Sequence, residues 1–78
     1  MKKTNDQNTI PPYCILLGLR IREYRKSTNK SIEEIAYKAG IDAQNLRKYE
    51  LGKQEMRVSM LKRIADAFEI SVSELVNF

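Results

Sequence analysis

Histidine is absent from this 78-residue chain, tryptophan is absent too, and cysteine occurs once, at Cys14. A lone cysteine excludes an intrachain disulfide, and the usual zinc-binding patterns need several Cys or His ligands, so neither metal nor cofactor is expected. With no imidazole, a single thiol and carboxylates scattered along expected solvent faces, no acid, base and nucleophile assemble, so the chain does not read as an enzyme. No apolar run approaches the roughly 20 residues that span a bilayer. No apolar block follows the basic start to serve as a secretory signal, and a cytoplasmic location without a membrane partner is the expectation. Glycine occurs three times and proline twice, so each is informative about where an element starts or stops.

What is present fits one small domain able to bury a single core without disulfides. The formal charge of +4 is modest, and its distribution says more than its size. Arg20, Arg22, Arg25, Lys26 and Lys30 cluster against a single Glu23, whereas Lys62, Arg63, Asp66, Glu69 and Glu74 nearly balance. The first group is the candidate for meeting phosphates. Cations late in a helix also favour its dipole, so a purely structural reading of Arg22, Arg25 and Lys26 stands beside it.

The opening MKKTNDQNTI is polar, lacks an apolar period and runs into Pro11 and Pro12. Residues 1–10 are therefore expected to be a flexible arm, and 11–78 the folded domain. Helical periodicity recurs through the rest, with no alternating run that would make a strand, so the expected fold is all-α with five helices. The first spans Pro12 to Ser27, with Cys14, Leu17, Ile21 and Tyr24 inward and Ile15, Leu16 and Leu19 outward, against either the arm or another protein. The second starts behind Ser31, where SIEE spells a capping box, and buries Ile32, Ile35, Ala36 and Ala39 before Gly40 stops it. Asp42 caps the third, over 42–50, with Leu46 and Tyr49 inward and Gln44, Arg47, Lys48 and Leu51 outward, and Gly52 ends it. The fourth, about 57–68, is expected to bury Val58, Leu61, Ile64, Ala65 and Phe68. A short fifth begins at Ser71, where SVSE repeats the capping-box spelling with Glu74.

Two short helices joined by a tight glycine turn define a helix-turn-helix, whose first helix braces a second that enters the DNA major groove. The small residues fit that geometry: Ala36 allows close approach, Gly40 makes the turn, and Ile35, Ile41, Leu46 and Tyr49 set the crossing angle. Four blocks in order, LG-xx-IR-xx-R from Leu17, E-xx-A-xxx-G-I from Glu33, YE-x-GK from Tyr49 and L-xx-IA-xx-F-x-IS-xx-EL from Leu61, carry a family likeness over residues 17–76. The chain resembles the lambda-repressor/Cro-like helix-turn-helix regulators, the XRE family.

That resemblance implies a compact five-helix lambda-repressor-like domain, a transcriptional regulator and more readily a repressor than an activator. It makes residues 42–50 the recognition helix. By position Ala43, Gln44, Arg47 and Lys48 match base-reading places, while Asn45 and the Gly52–Lys53 turn match phosphate-binding ones. The chemistry agrees: Gln44 suits adenine, the Arg47 fork suits guanine, Lys48 suits guanine or phosphate, and Ala43 suits a thymine methyl. Arg25, Lys30 and Arg57 complete the expected phosphate contacts. Taken alone, Arg47 and Lys48 are an ordinary solvated face; their place after the Gly40 bend turns them towards DNA. The sequence departs from the family at Ile32, where relatives often carry Gln, and at Met56 and Arg57, where Pro and then Ser or Thr are common. A homodimer on a double-stranded operator is the expected assembly. The alternative is an antitoxin or other partner-binding protein of the same fold, gripping a toxin through Ile15, Leu16 and Leu19 or through Leu75, Val76 and Phe78.

Overall fold

The computed structural model describes residues 10–78, so nine of the ten residues of the expected arm lie outside it. The described chain contains five helices: α1 (Pro12–Ser27), α2 (Ile32–Ala39), α3 (Ala43–Glu50), α4 (Val58–Ala67) and α5 (Val72–Leu75). Among the described residues there is no strand.

The helix ends follow local chemistry. Proline at the head of α1 gives up an amide that the first turn leaves unpaired anyway. Ser31 and Glu34 exchange both bonds of a capping box, Glu34 N–H donating to Ser31 Oγ at 3.0 Å and Ser31 N–H to Glu34 Oε1 at 2.9 Å. Asp42 accepts from Gln44 N–H at a long 3.5 Å. Four helices stop by one device, a left-handed residue that lets the next amide reach back five residues: Asn29 after α1, Gly40 after α2, Gly52 after α3 and Glu69 after α4. The closing bonds are Lys30 N–H to Arg25 O, Ile41 N–H to Ala36 O, Lys53 N–H to Lys48 O and Ile70 N–H to Ala65 O, all between 2.9 and 3.0 Å.

Each helix supplies one large aliphatic side chain with almost no exposure: Ile21, Ile35, Leu46, Ile64 and Leu75. Around them Leu17, Ile32, Ala36, Ala39, Tyr49, Ala65 and Ala67 close a single core. The helices pack pairwise, α1 on α3, α2 on α4, α2 on α3 and α4 on α5. The α1–α3 pair is unusually intimate at Gly18. A Cβ there would collide with the Tyr49 carbonyl oxygen and stand 2.8 Å from that of Glu50.

Three expectations fail in detail. Val58 is 79% exposed although it keeps the apolar period of α4, because it heads the helix, and Met56 and Met60 on either side of it pack against the core instead. Periodicity fixes a face of a helix but not how far along its axis that face is covered. Ser71 caps Glu74 N–H at 3.0 Å, yet the capping box is only half made. The Glu74 carboxylate instead accepts from the Tyr24 hydroxyl at 2.8 Å, a contact across 50 residues that a local motif cannot reveal. Cys14, expected inside, is half-buried; desolvation, with Glu55 nearby, pushes its thiol pKa up, away from the reactive thiolate. Arg20 reinforces the α1–α5 contact, donating from Nε to Leu75 O at 3.1 Å and from Nη2 to Glu74 O at 2.9 Å. It thereby satisfies the Leu75 carbonyl and adds a second donor to that of Glu74, which already accepts from Asn77 N–H at 3.3 Å.

Candidate nucleic-acid interface

The corner at Gly40 is built for close approach. Gly40 takes φ 70°, where a side chain is strained, and its carbonyl accepts from Arg63 Nη1 at 3.3 Å, fastening the turn to α4. Ala36 and Ala39 are buried behind it, and Ile41 is half-buried against the core. The connection between α2 and α3 is three residues, 40–42, so the two helices cannot part without breaking that packing.

α3 is held from behind at two depths. Leu46 and Tyr49 enter the core, and Glu50, only 5% exposed, accepts a forked pair from Arg25 on α1. Arg25 Nε meets Glu50 Oε2 at 2.7 Å and Nη2 meets Oε1 at 2.9 Å, while Nη1 reaches the Lys30 carbonyl at 3.0 Å. This bidentate geometry is the strong form of an ion pair, and Glu50 holds the guanidinium pKa further above its already high range. Behind α3, Gly18 brings α1 against the last carbonyls of the helix, and Gly52, also at φ 70°, turns the chain against Ile15.

The outer face of α3 carries Gln44, Arg47 and Lys48, all exposed and spaced i, i+3, i+4, so they project together. Ala43, at the first turn, is half-buried and packs against the core. Asn45 is half-buried, and Lys53 on the Gly52 turn and Arg57 ahead of α4 are exposed. α4 has no side-chain cap, in line with the residues read at 56 and 57. Lys30 is half-buried after α1, where its carbonyl is taken by Arg25.

Arg25 differs most from its expected role. Its side chain is only 13% exposed and its donors are engaged by Glu50 and the Lys30 carbonyl, so the structure gives it an internal task. Sequence reasoning did not connect Glu50, at the end of α3, to a residue 25 positions away. It also passed over Gly18. A glycine inside a helix is costly by about 1 kcal/mol relative to alanine, and that was the available signal for a close approach.

Among the described residues no group of His, Cys, Asp and Glu is placed to hold a metal ion, and no helix is long and apolar enough to cross a membrane.

Comparison with known proteins agrees with this geometry. A family model described as helix-turn-helix matches residues 21–75. The cryptic phage CTXphi transcriptional repressor RstR of Vibrio cholerae is 39% identical over 56 residues, 72% of this chain and 50% of that protein. The chain thus spans half the length of that relative. The crystal structure of the restriction-modification controller protein C.AhdI from Aeromonas hydrophila superposes with a TM-score of 0.80 at 26% identity, covering 83% of this chain and 98% of that one. The clp gene regulator ClgR of Corynebacterium glutamicum gives a TM-score of 0.80 at 22% identity over 86% of this chain and 87% of that one, a likeness of fold.

Proposed function

The chain belongs to the helix-turn-helix family, in its lambda-repressor/Cro-like (XRE) branch, and from that premise we propose that it is a cytoplasmic repressor acting as a homodimer on a double-stranded operator. Sequence-specific DNA binding and transcription regulation are the family's work. The finer reading is carried by one observation. The exposed face of α3 presents Gln44, Arg47 and Lys48 together on a helix fixed from behind by Leu46, Tyr49 and the Glu50–Arg25 pair.

In this reading α3 lies in the major groove. Gln44 bonds adenine, Arg47 forks to guanine, Lys48 takes guanine or phosphate, and Ala43 offers what remains of its methyl to thymine. Asn45, Lys53, Arg57 and Lys30 supply phosphate contacts, which position the domain and make binding depend on salt. Arg25 contributes indirectly, by holding α3. Nothing in the reading requires turnover, a metal or a cofactor.

The dimer is supported by apolar surface on one side of α1. Tyr13, Ile15, Leu16, Leu19 and Phe78 are each 44–52% exposed, and the rings of Tyr13 and Phe78 stack with centroids 5.1 Å apart. Single exposed apolar residues are ordinary; a group of five is the kind of patch that marks an interface. A dimer presents two copies of α3 about 34–36 Å apart, one helical turn of DNA. Sedimentation on a duplex carrying two half-sites at that spacing is expected to show two protomers per duplex, and a single protomer would reject the dimer. The same patch favours a second reading, in which it grips a different protein as an antitoxin does; a stable partner co-purified at one-to-one stoichiometry and lost on Leu16→Asp would select that reading.

A further inference from the structure

A cleft of about 210 Å³ opens beside the recognition helix, lined by Arg22, Arg25, Ile32, Arg47, Glu50 and Leu51. It is far roomier than the ~10–15 Å³ that one water requires, so a phosphate group enters without displacing protein. The cleft joins α1, the first turn of α2 and the end of α3, and its lining divides by chemistry. Arg25 and Glu50 neutralise each other at short range, with side chains 13% and 4% exposed. Ile32, 8% exposed, and Leu51 are apolar. That leaves Arg22 and Arg47, both exposed, as the net charge of the cleft. Among the described residues neither guanidinium has a carboxylate partner within ion-pair distance. Glu33, whose charge acts on Arg25 from α2, is not part of the lining.

We propose that Arg22 is a DNA-phosphate ligand, seating one backbone phosphate in this cleft on the α1 side of the recognition helix. The proposal rests on the DNA-binding reading above and moves a contact expected of Arg25 one helical turn along α1. Two cations one turn apart on α1 have separate tasks: Arg25 turns inward and holds α3 in place, and Arg22 meets the strand whose bases Arg47 reads. The apolar surface of Ile32 and Leu51 offers the phosphate no competing hydrogen bond, which leaves the guanidinium as its partner. An arginine suits this place better than a lysine because its planar fork engages two phosphate oxygens together.

The test is the salt dependence of affinity for a duplex selected by the wild-type chain, compared with Arg22→Gln and Arg22→Lys. Both variants replace an exposed side chain, and unchanged thermal unfolding confirms that they fold. The logarithmic slope of affinity against salt should become shallower by about 0.9 per bound protomer in Arg22→Gln. Between 50 and 200 mM salt that corresponds to roughly a threefold smaller loss of affinity per protomer. Arg22→Lys should keep the slope while binding more weakly, and the selected motif should be the same for all three proteins. An unchanged slope in Arg22→Gln, with the wild type binding its motif normally, overturns the assignment of Arg22 and leaves the DNA-binding reading standing. A wild-type chain that selects no motif and shows no salt-dependent binding overturns both.

Discussion

α2 and α3 are each eight residues long, each opens on a side-chain cap and each ends at a glycine with φ 70°, yet they carry different loads. α2 packs on α4, and the glycine at its end has room: a Cβ on Gly40 would find only Arg63 Nη1, at 4.0 Å. α3 packs on α1 and is crowded throughout its last turn, by Gly18 against its carbonyls, by Arg25 on Glu50 and by Ile15 against Gly52. Their outer faces differ in the same sense. α2 shows solvent a mixture that includes Glu33, Tyr37 and Lys38, while α3 shows Gln44, Arg47 and Lys48, of which none is acidic. The helix that must place side chains accurately is the one whose last turn is the more closely held.

That contrast can be broken most forcibly at Glu50. Glu50→Ala leaves the Arg25 charge partly buried and unpaired, and a loss of roughly 3–5 kcal/mol in denaturant unfolding is expected. The double variant Arg25→Met with Glu50→Leu should recover most of that loss, since a well-packed apolar pair can replace a buried ion pair at little cost. If the double variant keeps stability but loses DNA affinity, the pair positions α3 rather than merely stabilising the domain.

Gly18→Ala comes next. The added methyl meets backbone carbonyls that cannot rotate aside, so α1 and α3 must separate, with an expected cost of about 1–3 kcal/mol, offset in part by the better helix propensity of alanine. Because the displaced element is α3, operator affinity should fall by more than the stability change alone would explain.

The two left-handed glycines separate backbone strain from crowding. Gly40→Ala meets strain without crowding and should cost about 1–2 kcal/mol. Gly52→Ala adds contact with Ile15 Cγ1 at 3.0 Å to the same strain, so it should be the more damaging of the two in thermal unfolding. Equal costs would mean that the end of α3 is no more tightly held than that of α2.

The smallest effect is a pH dependence confined to α2. The Ser31 backbone N–H bound to Glu34, with Lys30 and Lys38 nearby, holds the Glu34 carboxyl below its usual range of about 4.3. A carboxyl depressed in the folded state contributes stability above its unfolded pKa and loses it as pH falls through the folded value. Wild type should therefore lose more stability than Glu34→Gln as pH drops below about 4, a difference absent at pH 7.

The sequence made the start of α2 and the stops of α2 and α3 legible because they depend on neighbours a few residues apart: Ser31 with Glu34, Gly40 after Ala39, Gly52 after the last turn of α3; the left-handed Asn29 and Glu69 that end α1 and α4 carry no such signal. The inward faces of α2 and α3 were legible for the same reason, since Ile35 and Leu46 lie in a 3.6-residue period. Contacts between distant segments were not. Nothing local distinguishes Arg25 from Arg22, yet one is clamped to Glu50 and the other is exposed. Glu74 fits a capping box by spelling and is drawn away by Tyr24 across the fold. Val58 keeps the right period at a place along the axis where no helix covers it. The outer face of α3 was read by its residue types and by family position, and the structure adds that Gln44, Arg47 and Lys48 are exposed together while Ala43 is half-covered.

Whether the outer face of α3 reads base sequence decides the function proposed for this chain. It is tested most directly by selecting bound DNA from a random duplex library with the wild-type chain and with Arg47→Ala, each at two salt concentrations. A palindromic motif is expected for the wild type and, for the variant, lost definition at particular base pairs worth about 1–3 kcal/mol of discrimination, with unfolding unchanged. Weak, salt-labile binding that yields no motif in the wild type, or the same motif equally well defined without Arg47, would contradict it.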